Sequence, residues 1–110
     1  MNMNSWKPIS LNELNMEIEN GLKKMTQVQL DYWQKISIKP EKWTEKEFGN
    51  EGGGFWVVAI IRDLAVWYND IEEGFNISTF STYGDISGYE AEQDELQWTI
   101  NKLKRHHNNV

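Results

Sequence analysis

The sequence predicts an α+β domain with two N-terminal helices, a three- to four-stranded antiparallel meander and a C-terminal helix, in that order. Apolar residues recur at helical spacing near both ends of the chain, which indicates amphipathic helices. The middle of the chain changes to strand-like runs, two of which are apolar on both alternating faces, and short turn-like segments separate them. A chain of 110 residues suits one such domain with a modest core.

The first helix is predicted to begin at Ser10, within a helical pair that spans residues 9–38. Ser10 and Glu13 have the spacing of a capping box, in which each side chain accepts a hydrogen bond from the other residue's amide. Thr26 and Gln29 repeat this spacing and predict the start of a second helix. The apolar stripe of the first helix follows at spacings of three and four residues. It consists of Leu11, Leu14, Ile18, Leu22 and Met25.

The second helix is expected to end before Pro40, because a residue that precedes proline is pushed out of the helical region. Residues 40–54 are charged and then glycine-rich, so we expect a loop there, with an extended end at Ser37–Trp43 as the alternative. The glycines at 49–54 resemble a phosphate-binding loop only superficially, since no Lys-Ser/Thr pair follows them. We expect them to form a flexible entry to the first strand.

The sheet is predicted to span residues 55–89. Phe55–Ile61 is the central strand, with Phe55, Val57, Ala59 and Ile61 on one face and the intervening residues on the other. Leu64–Tyr68 and Phe75–Phe80 follow as antiparallel strands, and Ile86–Tyr89 is a short fourth one. Two strands that are apolar on both faces need cover on both sides. The helices therefore divide between the faces, or a second copy covers one face in a homodimer.

The turn before the third of these strands contains Glu72, Glu73 and Gly74, and we expect Gly74 to take the positive φ angle. The last helix is predicted over residues 91–105, with acidic residues in its first turn and basic residues in its last. Trp98 lies off the apolar stripe of this helix, so we expect it to face another neighbour or a partner. Residues 106–110 are expected to form a frayed tail.

Charge is distributed unevenly along the chain, whose net charge is −6. Residues 1–50 carry seven lysines and seven acidic residues, whereas residues 51–110 carry four basic and ten acidic residues. No lysine or arginine lies between Arg62 and Lys102. The acidic residues of that interval are Asp63, Asp70, Glu72, Glu73, Asp85, Glu90, Glu92, Asp94 and Glu95. Such a field repels phosphate groups, which argues against nucleic-acid binding, and it attracts basic partners.

Other features of the composition limit the function classes. The chain has no cysteine, which excludes disulfides, thiolate metal sites and thiol nucleophiles. The N-terminus lacks the apolar region of a signal peptide, and the longest apolar run is too short for a membrane span. We therefore expect a cytoplasmic protein without a membrane partner. Six tryptophans suggest a core filled by large rings, with one or two left for an interface.

Candidate catalytic groups are few. The two histidines, His106 and His107, lie in the C-terminal tail, where a catalytic role would require the tail to dock. Asp70, Glu72 and Glu73 could serve acid–base catalysis or bind Ca²⁺ or Mg²⁺, but their spacing does not match an EF-hand loop. We predict no cofactor and no metal ion.

Three segments of the chain, GGGFWVVAI, WYNDIEEGFN and QDELQW, resemble a family of small, uncharacterised bacterial proteins. The likeness is greatest over residues 50–103, and it implies neither a reaction nor a catalytic residue. In size and acidity the chain is also similar to bacterial toxin-immunity proteins.

From these observations we predict a non-enzymatic acidic binding protein, of the immunity-protein or inhibitor kind, that neutralises a basic partner such as a bacterial toxin. Two alternatives stay open. One is a small enzyme or metal-dependent binder that uses the Asp70, Glu72 and Glu73 carboxylates, and the other is an architectural subunit of a homo-oligomer. The expected partner-binding residues are Tyr68, Asp70, Glu72, Glu73, Phe75 and Trp98.

Overall fold

The computed structural model describes residues 7–108, with side chains described as far as Arg105. It confirms the α+β fold: two N-terminal helices precede a four-stranded antiparallel meander, and a third helix follows it. The strands are adjacent in chain order, β1-β2-β3-β4. The helices and strands are α1 (Leu11–Lys23), α2 (Gln27–Ile36), β1 (Ser37–Trp43), β2 (Phe55–Ile61), β3 (Leu64–Asn69), β4 (Gly74–Thr79) and α3 (Leu96–Asn108).

Both predicted capping boxes are present. The Ser10 hydroxyl accepts from the Glu13 amide at 3.1 Å, and the Glu13 carboxylate accepts from the Ser10 amide at 3.1 Å. Thr26 and Gln29 exchange the equivalent bonds at 3.2 and 2.9 Å. Each pair satisfies two amides that the first turn of a helix leaves without intrahelical partners. No helix in the described part of the chain has the length and apolar character needed to cross a bilayer.

The fourth strand lies at the opposite edge of the sheet from the predicted one. Ser37–Trp43 forms β1 and pairs with β2, so the predicted loop begins only after Trp43. Pro40 is tolerated there because β1 is an edge strand and its register is irregular between Ser37 and Glu41. Residues 86–89 form no strand, and the turn that precedes them makes only isolated bridges, such as that between Thr44 and Asp85.

A β-bulge in β2 changes which residues share a face. Val57 lies opposite Trp67, but Ala59, two residues further on, lies opposite the adjacent Val66. The extra residue reverses the alternation, as a bulge does. Ala59 and Ile61 therefore belong to the same core as Val58, not to that of Phe55 and Val57 as predicted. The alternation predicted for β3 is confirmed.

Two hydrophobic cores lie on opposite faces of the sheet. The three helices cover one face, where Leu14, Trp33 and Ile100 meet the sheet. Irregular chain covers the other face. Ile86 is buried there, with Phe80 and Tyr89 partly buried beside it. The helices are thus not divided between the faces, and a second copy is not needed to cover this one.

The third helix begins later and ends later than predicted. Residues 91–95 run beside β4 instead of forming a helical turn. Asp94 accepts the Phe75 amide at 2.8 Å through its carbonyl oxygen, and Glu92 accepts a hydrogen bond from the Asn76 side chain at 3.1 Å. These bonds to β4 replace the intrahelical bonds of a first turn. The backbone of residues 106–108 is helical, so α3 includes part of the tail that is expected to fray. Residues 109–110 lie outside the described part.

The glycine-rich segment folds around a buried carboxylate. Gly49–Gly52 forms a short 3-10 helix, and Glu45, only 1% exposed, lies beneath it. The carboxylate of Glu45 accepts hydrogen bonds from the amides of Glu47, Phe48 and Gly49 at 2.7–3.0 Å. This segment is therefore organised by specific hydrogen bonds and is more than the flexible entry that its glycines suggest.

Candidate functional site: an acidic groove

A groove of about 550 Å³ lies between α1 and the β3–β4 turn. Four carboxylates line it, two from the helix and two from the turn. We call it the acidic groove and define it by Glu13, Glu17, Asp70 and Glu73, with Tyr68 between them. Lys7 is the one basic residue that lines it in the described part of the chain.

Local structure explains why these side chains converge. Glu13 and Glu17 are four residues apart, so they lie on the same face of α1, one turn from each other. The turn is shaped by Asn69, whose side-chain oxygen accepts the amides of Ile71 and Glu72 at 3.0 and 3.1 Å. Asn69 is itself buried. The turn therefore has a defined shape.

The two walls of the groove are joined through the backbone of Ile9. Asp70 accepts the Ile9 amide at 2.7 Å through Oδ2, and the Trp56 indole donates to the Ile9 carbonyl at 3.1 Å. These bonds hold the start of α1 against β2 and the β3–β4 turn. The other carboxylate oxygen of Asp70 is buried and has no hydrogen-bond partner among the described residues. Burial raises the pKa of Asp70 above its usual value, although the Ile9 amide acts in the opposite direction.

The pKa of Tyr68 reflects both its burial and the negative charge of the groove. Its ring packs edge-on against Phe75 with centroids 5.0 Å apart, and only 5% of the residue is exposed. Burial and, to a smaller extent, the nearby carboxylates together raise the pKa of Tyr68 to about 12. The groups responsible are Glu17, Glu73, Asp70 and Glu13. The four carboxylates thus act on one phenol.

The predicted binding residues do not form one site. Asp70, Glu73 and the nearly buried Tyr68 line the groove. Glu72 does not line it, and instead accepts a hydrogen bond from Gln93 at 3.3 Å. Phe75 is 2% exposed and belongs to the core, and Tyr68 is nearly buried as well, so neither of these expected partner-binding residues offers an exposed ring to a partner. Trp98 is 56% exposed but lies elsewhere.

The prediction of a single uncompensated acidic field is wrong. Glu95 pairs with Lys24 at 2.8 Å, and Lys102 lies against both Asp94 and Glu92. The acidic residues of the interval are also dispersed. Asp63 is at the β2–β3 turn, the other end of β3 from Asp70, and Asp85 accepts the Thr44 hydroxyl at 2.6 Å.

Sequence reasoning missed Glu13 and Glu17 because residues 1–50 have no net charge. Of the lysines that balance the count, Lys7 lines the groove, but Lys23 and Lys24 lie at the far end of α1. The available signal was the pair of glutamates at positions i and i+4, where like charges repel each other.

The groove has no visible arrangement for metal binding. Among the described residues, no three histidine or carboxylate groups are placed so that they could hold a metal ion. The side chains of His106 and His107 lie outside the described part.

The sequence and the structure were compared with known protein families, curated proteins and solved structures. None of the three comparisons found a match. The geometry of the groove therefore carries the functional argument.

Proposed function

We propose that this is a non-enzymatic binding protein whose acidic groove receives cationic side chains of a basic partner protein. The observation that carries the proposal is the convergence of four carboxylates on Tyr68. Three of these carboxylates, Glu17, Asp70 and Glu73, form no ion pair within residues 7–105. The charges of Glu17 and Glu73 are therefore available to a partner, whereas Asp70 is already held by the Ile9 amide.

The groove suits a lysine or arginine better than a neutral ligand. The carboxylates that line the groove attract an incoming cation, whereas a neutral ligand gains nothing from that attraction. Met16, which is 66% exposed, adds an apolar contact at the rim. Such a site favours rapid association with a positively charged surface and weakens as salt is added. We assign the partner to the class of basic toxins, with this chain as the immunity protein or inhibitor.

The enzymatic and metal-dependent alternatives receive less support. Both required Asp70, Glu72 and Glu73 to converge, whereas Glu72 is bonded to Gln93 outside the groove. Asp70 is already engaged by the Ile9 amide. A binding role needs only the charge of the groove, not a shared reaction centre.

Affinity for a cationic probe tests the groove. A hexa-arginine peptide is titrated into the protein at low and at physiological salt, and the affinity is measured by calorimetry. Replacing Glu17 and Glu73 by glutamine should weaken binding about tenfold, since two partly screened charges contribute about 0.7 kcal/mol each. The control is Glu51→Gln with Glu72→Gln, which removes the same charge outside the groove. Equal losses in the two double variants would show that the peptide senses net charge only.

The partner class is tested with the same variants. The protein is co-expressed with basic proteins encoded beside its gene, and complexes are isolated by affinity purification. We expect wild type and the control variant to retain one such protein and the Glu17/Glu73 variant to lose it. Retention by all three would place the partner-binding surface elsewhere.

A further inference from the structure

A second groove, of about 420 Å³, lies where the start of α2 meets α3. We call it the Trp98 groove and define it by Lys24, Gln29, Trp98, Asn101 and Lys104. The Gln29 side chain donates to the Gln97 carbonyl at 3.3 Å and joins the two helices at its base.

Trp98 is exposed for a structural reason. The buried side of α3 is formed by Leu96, Ile100 and Leu103, and Trp98 points away from it. A tryptophan that is 56% exposed leaves a large apolar surface in water. Because aromatic residues of this kind are enriched in binding hot spots, an unpartnered one marks a candidate contact surface.

The two grooves are complementary in charge and in apolar content. The acidic groove surrounds the exposed Met16 with carboxylates, whereas the Trp98 groove places an exposed indole beside Lys24 and Lys104. A methionine sulfur against an aromatic ring is a favourable contact. Lys24 already forms an ion pair with Glu95, but Lys104 forms no ion pair within residues 7–105.

A single molecule cannot bring its own two grooves together. They lie toward opposite ends of α1, with Glu13 and Lys24 separated by about 16 Å along the helix axis at ~1.5 Å per residue. The charges that complement each other must therefore meet between molecules, in a head-to-tail contact.

We propose that the Trp98 groove docks the acidic groove of a second copy of this chain. This inference rests on the proposed function, because it takes the acidic groove to be a cation-binding surface and names one of its occupants. A basic toxin would compete with the second copy for the same carboxylates.

Two complementary variants test the contact. The first breaks the acidic groove with Glu17→Lys and Glu73→Lys, and the second breaks the Trp98 groove with Trp98→Ala and Lys104→Glu. Sedimentation equilibrium is measured over a wide concentration range at about 0.15 M salt, where the Debye length of ~8 Å limits repulsion between the net charges. We expect wild type to rise above the monomer mass with concentration, and each variant alone to stay monomeric.

The mixture of the two variants decides the matter. The intact acidic groove of the second variant can bind the intact Trp98 groove of the first, so the mixture should form a one-to-one heterodimer and nothing larger. A wild type that stays monomeric, variants that still assemble, or a mixture without heterodimer would each overturn the inference. Restored pairing also shows that both variants are folded.

Hexa-arginine binding separates this inference from the proposed function. The Trp98→Ala, Lys104→Glu variant retains the acidic groove and should bind the peptide at least as tightly as wild type, because no second copy competes for its carboxylates. If it binds the peptide but wild type does not self-associate, the inference fails and the proposed function stands. If none of the proteins binds the peptide, the proposed function fails as well.

Discussion

At the β3–β4 turn, Glu73 has a left-handed backbone, with φ at 60°, which is costly for a residue with a Cβ atom. Gly74, the next residue, does not have a positive φ angle, so the turn does not require glycine there for its backbone conformation. It needs the absence of a side chain, because a Cβ there would lie 2.3 Å from the Cα of Gln93. We expected Gly74 to take the positive φ angle, because glycine does so at little steric cost, but Glu73 takes it instead. The reason is a tertiary contact with residues 93–94, which no local pattern reveals.

Substitutions in this turn should therefore have opposite effects. Glu73→Gly should stabilise the protein by about 1 kcal/mol by removing backbone strain. Gly74→Ala should destabilise it by about 3 kcal/mol, because backbone must move to admit the methyl group. Urea unfolding measures both. The control is Glu72→Gly. Glu72 has no positive φ angle, so this substitution relieves no strain and should destabilise the protein by increasing the conformational freedom of the unfolded chain. Stabilisation by that control, or by Gly74→Ala, would refute this description of the turn.

Among the structural elements, the loop between β1 and β2 depends on one buried acidic residue. The amides of three consecutive residues, 47–49, point at the Glu45 carboxylate. The sequence shows charged residues followed by glycines, which favours a loop but does not reveal that one of the charges is buried. Likewise, the sequence offers the extended segment Ser37–Trp43 only as an alternative, because Pro40 and its charged neighbours are unfavourable in a central strand and acceptable only at an edge.

Removing the Glu45 carboxylate should destabilise this loop and the fold. Glu45→Ala leaves one buried amide and two partly buried amides without their acceptor, which should lower the free energy of unfolding by about 3 kcal/mol. The neighbouring Glu47→Ala removes an exposed side chain and should change it by less than about 0.5 kcal/mol. Thermal and urea unfolding of the two variants measure the difference. Similar effects would mean that the Glu45 hydrogen bonds contribute little.

For the whole molecule, the order of helices and strands followed from periodicity and capping, whereas the distribution of charge did not follow from the order of residues. Capping boxes are local, so Ser10 and Thr26 could be recognised directly. The acidic groove is assembled from residues about 60 apart, Glu13 with Asp70 and Glu17 with Glu73. Ion pairs such as Lys24 with Glu95 likewise join distant segments. A count of charges along the chain contains neither kind of information.

Titration of Tyr68 is the most direct test of the claim that carboxylates converge in the acidic groove. Tyrosine labelled with ¹³C at Cζ is followed by NMR, and we expect the pKa of Tyr68 to be about 12. The unfolded chain loses this proton near pH 10, so Tyr68 adds stability below pH 10 that is lost as the pH rises through about 12. The Tyr68→Phe variant should therefore lose less stability than wild type as the pH rises from about 10 to about 12.

Replacing both Glu17 and Glu73 by glutamine should lower the Tyr68 pKa, because two of the charges that oppose the phenolate are removed. The Glu51→Gln, Glu72→Gln control should leave it unchanged. An ordinary Tyr68 pKa near 10 in wild type, or an equal change in both double variants, would contradict the account of this groove.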